Sequence, residues 1–200
     1  MRPRRVVPSL GKGGPSPRAV LAGLGNPGKH YRHTRHNAGR MAAGRLAETS
    51  EIIEESSWRE GSLVLARREE GVFLLLFPGT FMNLSGRPVA EVLKAYRLKP
   101  ENLIVLHDDI DIPLGAVKKK LEGGTAGHKG LDSIVERLGS RAFARVRIGV
   151  GRPPDGVDPA DYVLSKFDSQ EEGAAREAVE KAAELAAEML AEETKLPEDE

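Results

Sequence analysis

The apolar residues of this chain arrive in short, dense runs, and that spacing limits its fold more than any other feature. "AVLAGL" (19–24), "GVFLLLFP" (71–78) and "NLIVLHDD" (102–109) are nearly continuous in hydrophobicity and are bounded by Gly, Pro or charged residues. Runs of this kind suit strands buried on both faces. Between them lie segments with helical period. "NAGRMAAGRLAET" (37–49) opens on Asn37, a candidate N-cap, and "GRPVAEVLKAYRL" (86–98) sets Val89, Val92, Leu93 and Tyr96 on one face. "GLDSIVERLG" (130–139) ends on Gly139, and residues 171–193 read as a long amphipathic helix. "SLVLARR" (62–68) and the run from Gly71 flank a turn and predict a hairpin. "AVKKKLE" (116–122) suits an edge strand, because lysines discourage further pairing. "ARVRIGVG" (144–151) predicts a strand with Arg145 and Arg147 on one face. The alternation predicts a single α/β domain over 19–193, with a mixed, mostly parallel twisted sheet and helices on both faces. Residues 1–18 read as a disordered basic extension, and 194–200 as an acidic tail.

Composition narrows the chemistry. The 200 residues contain no cysteine, which excludes disulfides, thiolate metal sites and a cysteine nucleophile. No apolar run reaches the roughly 18 residues of a spanning helix, so a soluble cytoplasmic protein without a membrane partner is expected. The net charge of zero conceals blocks of opposite sign. Residues 1–47 hold ten Lys or Arg and no acid, whereas 168–200 hold twelve acids. Residues 118–152 are basic again, with nine Lys or Arg. Two basic segments that fold together would suit a phosphate-rich partner; charge blocks also arise simply as solvated faces.

The polar clusters lie just beyond strand ends, where open α/β sheets bind ligands. "GLGNPG" (23–28) has the GxGxxG spacing of dinucleotide sites. It lacks the helix that should start at once and the distal acid, which leaves a tight turn with Asn26 as a turn former, or a turn that presents the Asn26 amide to a ligand. His30, His33 and His36 repeat every three residues, but cations surround them and a metal site is not expected. His36 lies directly before a helix, where a base can face a pocket. In "LHDDIDIPLG" (106–115) the spacing of a calcium loop is absent. There a carboxylate can orient a histidine and leave its other ring nitrogen free as a base. "FPGTFMNLSG" (77–86) lacks GxSxG, which makes Ser85 a helix cap rather than a nucleophile, and Asn83 either caps backbone groups, the commoner role, or donates to an oxyanion. "EGGTAGHKG" (122–130) is a glycine loop that leads to His128 and Lys129.

"GLGNPG…Y…TRHNAG", "PGTFMNLSG", "HDDIDIPLG", "GG…GHKGL" and "RVRIGVGRP" stand in the order found in bacterial peptidyl-tRNA hydrolases. The chain resembles that family from about Ala19 to about Leu190. The resemblance implies a monomeric esterase without metal or cofactor, which frees tRNA by cleaving the ester between peptide and 3′-terminal ribose. It makes His36 the general base for water and Asp108 the group that orients it. It assigns substrate contacts to Asn26, Tyr31, Phe81, Asn83, His128 and Lys129, and tRNA contacts to Arg147, Lys118, Lys120 and Arg145. Lys29, Arg32 and Arg35 are further candidates for phosphate contact. At Lys129 the family commonly has Asn, and a lysine cannot accept a hydrogen bond. A fold-sharing RNA-binding protein without catalysis would have no need for Asn26, His36, Asn83 and Asp108 together.

Overall fold

A computed structural model of the chain describes residues 16–58, 61–69 and 71–193. Most of the 1–18 extension and the 194–200 tail lie outside these residues. Ser16, Pro17 and Arg18 lie within them: Pro17 is buried, and the Arg18 N–H donates to the Val72 carbonyl at 3.2 Å. This bond continues the pairing of the first strand with the segment that begins at Gly71.

That strand, β1 (Val20–Gly23), lies between β4 (Gly71–Phe77) and β5 (Leu103–Asp109) and is parallel to both. β5 pairs in parallel with β7 (Ala144–Gly149). β2 (Glu51–Trp58) and β3 (Gly61–Arg68) extend one side by antiparallel pairing, and β6 (Val117–Lys120) closes the other as the expected lysine-rich edge. The sheet runs β2-β3-β4-β1-β5-β7-β6. Parallel pairing is thus confined to the β4-β1-β5-β7 centre, with every pairing outside it antiparallel. The dense apolar runs are these central strands, whose two faces are both covered.

Helices α1 (Ala38–Glu48) and α5 (Glu172–Glu193) cover one face. Their Ala42, Ala43, Leu46, Ala182 and Ala186 pack on Leu21, Ile104, Leu106 and Val146. On the other face α2 (Gly86–Tyr96) and α3 (Lys129–Leu138) set Val89, Val92, Leu131 and Ile134 against Val20, Ala22, Leu74 and Val105. Each fully buried Val, Leu or Ile among these contributes on the order of 1.5–3 kcal/mol, and each Ala less. Two elements were not anticipated. β2 is half-exposed, with a register shift at Ile52/Glu54 that breaks its alternation. The short helix α4 (Pro159–Leu164) buries none of its residues, so it carries no apolar period; Asp158 caps it through the Ala160 N–H at 2.7 Å.

One glycine sets the depth at which α1 sits. A Cβ at Gly39 would lie 2.0 Å from the Leu106 carbonyl oxygen, so only glycine permits this approach. The start of α1 is thereby pressed against the end of β5, and the loops after β1, β4, β5 and β7 converge at that edge of the sheet.

Candidate active site

His36 and Asp108 meet across this contact. His36 belongs to a 3₁₀ turn, Arg35–Asn37, directly before α1, and Asp108 is the penultimate residue of β5. His36 Nδ1 lies 2.9 Å and 3.0 Å from the two Asp108 carboxylate oxygens. Asp108 Oδ1 has a second partner, His128 Nε2, at 3.0 Å. His128 is the N-cap of α3, and its Nδ1 accepts the backbone N–H groups of Gly130 and Leu131 at 3.1 and 3.3 Å.

The tautomers follow from these partners. His128 Nδ1 faces two donors, so it carries a lone pair and the ring proton is on Nε2, donated to Asp108. The same carboxylate accepts the Nδ1–H of His36, which leaves His36 Nε2 with its lone pair outward. That nitrogen has no hydrogen-bond partner among the described residues and is not sealed from solvent. Burial alone would raise the Asp108 carboxyl, but the His128 and His36 rings, by charge and by hydrogen bond, hold it well below the usual carboxylate range. It is therefore the ionised acceptor that both rings need.

His36, Asp108 and His128 also have the composition of a metal triad, with donor atoms within 4.8 Å of one another. The nitrogen–oxygen separations near 3 Å fit direct hydrogen bonds, with the His36 Nδ1 and His128 Nε2 protons both on Asp108, and His128 Nδ1 is closed by its cap. A cation there would have to displace both ring protons and the two hydrogen bonds they make.

Behind the cluster is His107, buried, with Nδ1 donating to the Asp108 carbonyl at 2.7 Å and its ring edge-on to His128 at 4.9 Å. Burial, then the His128 charge, pushes its pKa down to about 3. In the unfolded chain an imidazole titrates near 6.5, so the unfolded state binds the extra proton between these values. The stability that neutral His107 provides is whole above about 6.5 and is lost as pH falls toward the folded value. We expect urea unfolding to show a loss on the order of 1–2 kcal/mol between pH 7 and pH 5 that is much reduced in His107→Gln. Identical pH slopes in the two proteins would refute this.

The Asn26 amide is held from the other side. Its Oδ1 accepts the Met82 N–H at 2.8 Å, and its backbone N–H and C=O bond the Asn37 side chain at 2.9 and 3.0 Å. Asn37 is thus diverted from capping: it stands at the N-cap position of α1 without a side-chain cap bond. Ser85 likewise occupies the N-cap position of α2 without capping it. With Oδ1 engaged, Asn26 offers its Nδ2 donor. Asn83, one residue beyond Met82, is exposed, and Phe81 is 55% exposed with its ring edge-on to Tyr31 at 6.4 Å. Tyr31, Phe81 and Asn83 therefore form an amphipathic lip beside Asn26.

The predicted basic residues divide. Lys118 pairs in register with Arg147, and Lys120 with Arg145, so all four side chains share one face of the sheet. Lys118 is exposed, and Arg147 is partly exposed with Nε on Asp109 at 2.8 Å. Arg145 corrects the sequence reading. It is 1% exposed and donates to the carbonyls of Gly124 and Gly123 at 2.7 and 2.6 Å, so it fastens the glycine loop instead of meeting phosphate. Arg35 is a second correction, being buried and paired with Glu171. His128 has both ring nitrogens engaged within the protein, so it offers substrate only its ring surface. Lys29, Arg32, Lys129, His30 and His33 are exposed.

The peptidyl-tRNA hydrolase family profile matches residues 20–198. A peptidyl-tRNA hydrolase of Syntrophomonas wolfei is 46% identical over 163 residues, covering 82% of this chain and 88% of its own. This chain belongs to the peptidyl-tRNA hydrolase family. A family member from Geobacter sp. (strain M21) is 50% identical over 153 residues, covering 76% of this chain and 80% of its own. The crystal structure of the peptidyl-tRNA hydrolase of Acinetobacter baumannii superimposes with a TM-score of 0.75 at 32% identity, over 88% of this chain and 93% of that one. For a member of this family, the sequence reading missed Asn37 and His107 as parts of the site. Their signal was adjacency: Asn37 follows His36, and His107 precedes Asp108. No helix among the described residues is long and apolar enough to cross a membrane.

Proposed function

We propose that this protein hydrolyses the ester joining a peptide to the 3′-terminal ribose of tRNA, acting as a cytoplasmic monomer with His36 as the general base. The observation that carries the reading is the His36–Asp108 pair, which leaves one imidazole lone pair without a partner among the described residues and not sealed from solvent. His36 Nε2 takes a proton from water as its oxygen attacks the ester carbonyl. The tetrahedral oxyanion lies where Asn26 Nδ2, or Asn83, can donate to it. Collapse expels the ribose 3′-oxygen, which leaves with the proton held by His36. General-base action supplies about 10²–10⁴-fold, and one oxyanion donor about 10²–10³-fold. An ester needs no covalent nucleophile, which accords with the absence of GxSxG and cysteine. Amide contacts to a peptide backbone are indifferent to side chains, as a substrate of varied sequence requires. Lys118, Lys120 and Arg147 form the surface for the tRNA phosphates, with Lys129 nearer the scissile end.

The test is incubation of the protein with peptidyl-tRNA. Free peptide and tRNA with an intact 3′-hydroxyl are expected, unchanged by a chelator and weakening as salt rises, since phosphate contacts release counterions. Absence of peptide release at low salt would overturn the reading.

A further inference from the structure

Arg35 is a buried cation that the reaction as described does not use. It is 4% exposed, and its partners lie more than a hundred residues away. One guanidinium nitrogen donates to Ser165 Oγ at 3.0 Å and to the Lys166 carbonyl; another donates to the Glu171 carboxylate. The guanidinium carbon lies 4.3 Å from the centre of the Tyr162 ring and 4.9 Å from that of Phe167. The backbone joins in: the Arg35 N–H donates to the Ser165 carbonyl at 3.0 Å, and Thr34 bridges Lys166.

These contacts continue to the other half of the catalytic pair. Tyr162 donates its hydroxyl to the Val150 carbonyl at 2.8 Å, and the Val150 N–H donates to the Asp109 carbonyl at 3.1 Å. The path leaves His36 by its neighbour Arg35, crosses α4 and the end of β7, and returns beside Asp108. The His36 turn and α4 both need such support. The turn that carries His36 has no side-chain cap, and α4 buries nothing of its own. A three-residue turn has little stability by itself.

We infer that Arg35 is a positioning residue for the reaction: it straps the His36 turn to the α4–α5 connection and so fixes the imidazole against Asp108. The inference rests on His36 as the base. Misplacement by about 1 Å can cost on the order of 10²-fold in rate, so a strap of this kind acts on turnover.

The test compares Arg35→Met in the wild-type and Asp108→Asn backgrounds, by single-turnover and steady-state hydrolysis of peptidyl-tRNA. In the wild-type background kcat should fall about 10- to 100-fold, with KM within about twofold. In the Asp108→Asn background the same change should cost less than about threefold, because alignment onto the carboxylate has already been lost. Equal losses in the two backgrounds, or a raised KM with kcat unchanged, would overturn the inference. If Arg35→Met fails to fold, Tyr162→Phe replaces it, since it deletes only the bond to Val150. A kcat loss of about threefold that vanishes in the Asp108→Asn background is then expected, and an unchanged kcat overturns the proposal. Failure of the function itself is separate: the wild-type protein would release no peptide.

Discussion

His36→Ala should lower turnover of peptidyl-tRNA by at least about a hundredfold while leaving the fold intact. The expected loss is that of one general base. No neighbour can replace it. His128 has its Nδ1 closed by the α3 cap and its Nε2 proton committed to Asp108, and His107 is sealed behind it. The fold should survive because Asp108 keeps the His128 donor, so no buried carboxylate is left bare. Single-turnover hydrolysis with a thermal melt of the same preparation checks both halves. Activity within about tenfold of wild type would remove His36 from the chemistry.

Asp108→Asn has the second large effect and separates geometry from charge. The substituent is nearly isosteric, yet it replaces one of the two carboxylate oxygens near the imidazoles by an NH2 donor and removes the negative charge. Where its Nδ2 faces His36 Nδ1, that nitrogen must become the acceptor and the ring proton moves to Nε2. His36 is then held in the tautomer that cannot take a proton from water. A loss of about 10²–10⁴-fold in kcat is expected, with KM little changed. Stability adds a second readout. The folded Asp108 carboxyl is held below its unfolded value. The stabilisation it gives is therefore present above the unfolded pKa of about 3.9 and is lost as pH falls through the lower folded value. Urea unfolding should show the advantage of wild type over Asp108→Asn undiminished from pH 8 to pH 5 and shrinking only in strong acid. A KM effect with normal kcat would instead make Asp108 a binding residue.

Local pattern was sufficient for most of the fold. The hairpin, the lysine edge strand, the Gly139 end of α3 and the long α5 each follow from period, turn residues and charge within one segment. β2 escaped because a register shift scrambles its alternation, and α4 because a helix that buries nothing shows no stripe. The site was legible in outline. His36 and Asp108 could be paired because each stands beside a strand or helix end in an ordered set of motifs. Asn37 and Ser85 look like caps in sequence, but Asn37 is taken by the Asn26 backbone, whereas Ser85 is buried without capping α2.

Charge was the least legible property. Arg35, Arg145 and Arg147 are equally basic in sequence, yet Arg35 is locked into an aromatic and carboxylate cage and Arg145 holds a glycine loop. Of these three only Arg147 keeps a partly exposed guanidinium on the basic face. The sequence by itself determined most of the strands and helices, the family and the chemical types present at the strand ends. Those depend on interactions within a few residues. Tertiary structure alone decided which cations remain free, which histidine nitrogen is left without a proton and which end of the Asn26 amide is left without a partner among the described residues. Each of these depends on a partner tens of residues away, and a hydrogen-bonding group has no fixed role until that partner is in place.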